Sequence, residues 1–189
     1  MISFRRAKVY QSVLVLSAII ATSNAIAAPA PPELYHLMRE AQLKVRDADN
    51  KMIDNIAECS KLLERNYRLT KKLPQSMADF ESILNQSKLY KTKNPYFESE
   101  LLSRELPPST SHLIQFEVQT DYALSKTEIE SHAKHPPKSW SGSPGTITII
   151  QNGEHAFALH AYGIDGKPIH DSTTGSAFYV FRDCNQWED

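Results

Sequence analysis

The sequence predicts an α+β fold: a long N-terminal α-helix packed on a small antiparallel β-sheet, with a short second helix between them. Three observations predict it. Apolar residues recur at spacings of three and four from Leu34 to Tyr67. Leu73-Pro74 ends that pattern, and Ser76-Met77-Ala78-Asp79 carries the signature of a new helix start. Thr146–Ile150, Asn152-Gly153 and Glu154–Tyr162 read as strand, tight turn and strand. Helices first and then three or four antiparallel strands make a helix-on-sheet layer.

The first 27 residues have the build of an export signal. Arg5, Arg6 and Lys8 form a positive start, Val13–Ala21 an apolar middle, and Ala25-Ile26-Ala27 a small-x-small cleavage site. The apolar run is about half of the ~20 residues that a spanning helix needs, so cleavage is the expectation and a retained anchor its alternative. The domain boundaries follow: a signal peptide at 1–27, a proline-rich lead-in and charged amphipathic helix at 28–55, and an α+β domain at 56–189. Cleavage removes three positive charges and moves the formal net charge from −1 to −4. A general nucleic-acid role would need a basic surface instead. The mean hydropathy of −0.43 and the lack of a later long apolar run imply a soluble periplasmic or secreted protein.

Two cysteines remain, Cys59 and Cys184. In an oxidising compartment the simplest expectation is one disulfide tying the helix to the C-terminal tail. On the chain-entropy account, closing so long a loop would contribute about 4–5 kcal/mol. Two free thiols are the competing reading, and neither cysteine sits in a nucleophile motif.

Leu34, Met38, Ala41, Val45, Ala48, Met52, Ile56, Cys59, Leu63 and Tyr67 form one apolar stripe, with charged residues such as Arg39, Glu40, Lys44, Arg46 and Asp54 elsewhere on the helix. A helix that long exceeds 50 Å at ~1.5 Å per residue, so its N-terminal half is expected to project, either against a partner or as a solvated stalk. Self-association through it is one form of that partner contact. Phe80, Ile83 and Leu84 form the buried face of the second helix, which ends near Asn85-Gln86. His112–Thr120 alternates as a strand with Ile114, Phe116 and Val118 on one side; Thr127–His132 reads as a helical turn, and Ala177–Phe181 as the last strand.

Three pieces of this sequence resemble the globular head of type IV pilin-like proteins, above all the major pseudopilin of type II secretion systems. They are Cys59–Lys72 leading into Leu73-Pro74 and Met77–Phe80, the Asn94-Pro95-Tyr96 turn, and Phe157–Pro168 with its Tyr162-Gly163-Ile164-Asp165-Gly166-Lys167 loop. The N-terminal prepilin signature is missing, so the resemblance implies an exported protein that reuses the head fold and meets protein partners in the envelope or secretion machinery. It also implies a calcium ion held by Asp165 and Asp171 with Ser172, Thr173 and Thr174 nearby, since calcium takes six to eight oxygens.

The densest group of titratable side chains is His155, His160, His170, Asp165 and Asp171. His155 and His160 point to opposite faces of a strand, whereas His160, Asp165 and His170 can meet around the hairpin end as a zinc site or a base–acid pair. That makes a small exported hydrolase or metal-dependent enzyme the second reading. Ser141-Gly142-Ser143-Pro144-Gly145 is glycine-rich without a G-x-S-x-G nucleophile elbow. Tyr35, Trp140, Tyr162 and Trp187 offer a stacking surface for a ligand or, more commonly, aromatic core. The first reading is therefore a non-enzymatic interaction module.

Overall fold

The computed structural model describes residues 32–99, 101, 112–136, 141–171 and 174–187. The expected export signal, Trp140, Ser172 and Thr173 lie outside them, as does the side chain of Trp187. Helix α1 runs Pro32–Thr70, 39 residues without a break. Lys71 takes a positive φ of 58° just past its end, closing the helix with a left-handed residue. Helix α2, Met77–Leu84, starts where the sequence places it: the Ser76 hydroxyl accepts from the Asp79 amide at 3.2 Å. A short turn of helix α3, Pro95–Glu98, follows an Asn94 cap.

Four strands form one sheet in the order β1-β2-β3-β4: Gln115–Thr120, Thr146–Gln151, Ala156–Ala161 and Val180–Asp183. Strands β2, β3 and β4 are antiparallel neighbours, as expected, while β1 joins the edge in parallel with β2. The reason lies in the connection. Thr127–His132, read from sequence as a helical turn, lies within a full helix α4 (Lys126–Lys134) with a capping box between Ser125 and Glu128. That helix carries the chain back across the sheet, and a returning crossover makes the next strand parallel.

The hairpin between β2 and β3 is present, but its turn is longer than two residues. The Asn152 Oδ1 accepts from the amides of Glu154, His155 and Ala156 at 3.2–3.3 Å, so the loop spans Asn152–His155. Gln151 consequently faces Phe157 instead of Glu154. That three-residue shift exchanges the faces of every β3 side chain relative to β2.

Both faces of the central strands are covered, and every residue of β2 and β3 is buried. On one face Met52, Ile56, Cys59, Leu63 and Tyr67 of α1 and Phe80 and Leu84 of α2 pack on Ile147, Ile149, Phe157, Leu159 and Ala161. On the other, Ile129 and Ala133 of α4 pack on Ile150, Ala156 and Ala158, with Tyr179 and Phe181 alongside. Salt bridges pin the last strand to both layers, Arg182 to Glu64 and Lys126 to Asp183, each at 2.7 Å.

The expected disulfide is not formed. Cys59 and Cys184 are free thiols, and both are buried. Cys59 occupies the inward stripe of α1, and burial raises its thiol pKa; Cys184 is pushed up to about 12 by burial first and then by Asp183 and Glu64. Such thiols stay protonated and behave as small apolar side chains. Packing, the Arg182–Glu64 and Lys126–Asp183 salt bridges and the Cys184 amide bond to the His155 carbonyl hold the tail in place of a disulfide.

Candidate functional site

The first buried residue of α1 is Ala48. From there to Tyr67 the stripe is inside the protein. Ahead of it, Pro32–Asp47 contributes about 24 Å of helix at 1.5 Å per residue, and no residue of that stretch is buried. Leu34, Met38, Ala41 and Val45 continue the buried stripe in phase but stay half-exposed. Tyr35, Leu37 and Leu43 are 57 %, 48 % and 42 % exposed. Leu34, Leu37, Met38 and Ala41 share one helix face, Tyr35 borders it and Leu43 lies on the opposite side, while Val45 packs against the core cluster.

The boundary between the two halves is fixed by polar contacts. The Tyr96 hydroxyl donates to Asp49 Oδ1 at 2.5 Å, and Lys51 lies 3.6 Å from Glu98. Burial raises the Asp49 pKa; the Tyr96 hydrogen bond opposes that rise, and the nearby Asp165 carboxylate adds to it. Burial and the Asp49 carboxylate together push the Tyr96 hydroxyl up. Tyr96 therefore stays a donor, clamping α3 onto α1 where the projecting half begins.

Asp165 sits close enough to Asp49 to be felt by it, and its own Oδ1 accepts from the Lys167 amide at 3.0 Å. It forms the turn at Gly163–Lys167. Asp171 heads a separate turn, its amide bonded to the Ser176 carbonyl and its carbonyl to the Gly175 amide, each at 2.8 Å. Among the described residues no group of three His, Cys, Asp or Glu side chains comes together to hold a metal ion. Asp165 and Asp171 thus each serve a turn, and Ser172 and Thr173, expected beside them in a calcium site, lie outside the described residues.

The His160, Asp165 and His170 group does not converge either. His160 is 2 % exposed inside the sheet, whereas Asp165 and His170 lie on the surface. His170 Nδ1 is bonded to the Gly175 carbonyl at 3.0 Å. His155, on the hairpin loop, bonds through Nδ1 to the Tyr67 hydroxyl at 3.0 Å and locks the helix end to the sheet.

One polar arrangement escaped the sequence reading. Glu117, Thr148 and His160 are register partners across β1, β2 and β3, so they share one sheet face. The Thr148 hydroxyl reaches Glu117 Oε2 at 3.4 Å and also bonds Tyr162, whose hydroxyl is 3.2 Å from His160 Nε2. The His160 and Tyr162 rings meet edge to face at 5.2 Å. Burial lowers the His160 pKa to about 4, leaving the imidazole neutral. Burial also raises the Tyr162 pKa, against the Thr148 bond and with help from Glu117.

The glycine-rich loop is explained by the same place. A Cβ on Gly142 would stand 2.2 Å from the Tyr162 ring, so only glycine lets the loop lie flat on it. Chemically the row links a surface carboxylate to a buried imidazole through two hydroxyls, and its histidine is closed to substrate. The signal for it was the β2–β3 register, which depends on the loop length that Asn152 sets.

No protein-family model, no curated protein and no solved structure matches this chain. Its architecture stands as a long N-terminal helix packed on a small sheet. Among the described residues no helix is long and apolar enough to cross a membrane.

Proposed function

We propose that this chain is an exported interaction module of the cell envelope or secretion machinery, and that the projecting half of α1 is the surface it offers to a protein partner. The observation that carries this reading is the apolar stripe of Leu34, Leu37, Met38 and Ala41, none of them buried and Leu37 48 % exposed. It continues the buried face in phase beyond Val45, which still packs on the core. A helix-in-groove contact uses apolar anchors at this spacing, i, i+3, i+4 and i+7. Solvated stalks need no such stripe, because charged side chains serve them better. The export-like N-terminus supports placement outside the cytoplasm.

Two measurements test the reading. Fractionation should find the chain outside the cytoplasm and shortened by residues 1–27. Leu37→Asp with Met38→Asp should release it from its envelope partner while leaving its melting temperature within about 2 °C, since neither side chain is in the core. A full-length chain in the cytoplasm would end the localisation; undiminished partner binding by the double variant would end the role of α1.

A further inference from the structure

Among the described residues, the outer edge of β1 has main-chain groups with no backbone hydrogen-bond partner. Gln115 and Asp121 donate toward β2, to the carbonyls of Gly145 and Gln151 at 3.3 and 2.9 Å. By strand alternation Glu117 and Gln119 also bond on that side, while Ile114, Phe116, Val118 and Thr120 direct their N–H and C=O away from it. Ile114 is satisfied, because its amide donates to the Thr92 carbonyl at 3.0 Å. The preceding chain then curls into a 3₁₀ turn, Lys88–Lys91, and leaves the edge. Among the described residues the outward main-chain groups of Phe116, Val118 and Thr120 have no backbone partner, and β1 has no strand on that side.

Sheet edges left open in this way are usually blocked by lysine, proline or a bulge. Gln115–Thr120 contains neither lysine nor proline and pairs with β2 over all six residues without a bulge.

We propose that this edge pairs antiparallel with the same edge of a second copy, joining two four-stranded sheets into one across a twofold axis. The sequence is self-complementary about Val118. A twofold there sets Val118 opposite its own mate, and Phe116 opposite Thr120. The outward amides and carbonyls of those residues then exchange six main-chain hydrogen bonds. On the solvent face it sets each exposed Glu117 opposite an exposed Gln119, so a carboxylate meets an amide donor and two like charges are kept apart. An interface that uses one patch twice is the form a twofold dimer requires.

The test is hydrogen exchange with sedimentation equilibrium on the full chain over a range of concentrations. Dimerisation should protect the amides of Phe116, Val118 and Thr120 as concentration rises, while those of Glu117 and Gln119, already bonded to β2, stay protected throughout. Gln119→Glu places four carboxylates across the axis and should weaken the dimer about tenfold; Gln119→Lys should tighten it by a similar factor. Glu117→Lys combined with Gln119→Glu should restore association. All of these side chains are exposed, so an unchanged circular dichroism spectrum keeps folding out of the comparison. A chain that stays monomeric at every concentration overturns the proposal. So does association that ignores the charge at position 119, or that protects Pro32–Asp47 in place of β1.

Discussion

The two halves of α1 carry the same apolar spacing and meet opposite fates. Ala48, Met52, Ile56, Cys59, Leu63 and Tyr67 are buried to within 1 % of their surface. Leu34, Met38 and Ala41 repeat the pattern in phase and are only partly buried, with Val45 packed on the core between the two halves. Periodicity encodes a face; it does not encode what the face meets. That is decided by what lies opposite it, and here full burial ends at Ala48, next to Asp49 and Lys51, which Tyr96 and Glu98 grip. The exposed half is helical because the buried half has already met the cost of nucleation.

The sharpest way to break this comparison is truncation at matched positions. Leu63→Ala should cost about 3 kcal/mol in urea unfolding, whereas Met38→Ala should stay within about 0.5 kcal/mol. Equal costs would mean that the upper stripe is packed as tightly as the lower.

A similarly large effect is expected from pH, through the sheet that the lower half covers. His160 titrates near 4 when folded and near 6.5 when unfolded. Between those values the unfolded chain binds the extra proton, so stability should fall as pH drops from about 6.5 to about 4 and then level off. The total is at most about 3 kcal/mol. His160→Gln should flatten that segment of the pH–stability curve; a curve unchanged by the substitution would show that the imidazole is solvated after all.

Smaller effects probe the boundary itself. Tyr96→Phe removes the donor from the half-buried Asp49 and should cost about 1 kcal/mol, more above the Asp49 titration than below it, because a charged acceptor loses a stronger bond than a neutral one. Lys51→Ala breaks a solvent-exposed pair and should change stability by less than about 0.5 kcal/mol. Were the second change to exceed the first, the ion pair and not the tyrosine would be the clamp.

Much of the fold was legible because the relevant signals are local. The stripe from Leu34 to Tyr67, the Ser76 cap and the Asn152-Gly153 hairpin each declare themselves within a few residues. What escaped depends on distant partners. The parallel entry of β1 required seeing that Ser125 and Glu128 cap a whole helix. The Glu117–Thr148–His160 row required the β2–β3 register, which shifts by three residues once the Asn152 side chain gathers three amides. The cysteines were misjudged because chemistry alone suggested pairing, while the fold uses both thiols as packing. His160, Asp165 and His170 were close in sequence, yet His160 lies inside the sheet while the other two are on the surface.

The crossover through α4 also sets an order of assembly. Strands β2 and β3 can zip from their shared loop, but β1 must wait until the chain between Thr120 and Thr146 has closed, and long closures are slow. The edge strand therefore docks last. Truncations at Phe116 should accelerate unfolding with little change in the refolding rate, and during synthesis the hairpin spends its early life with that flank uncovered.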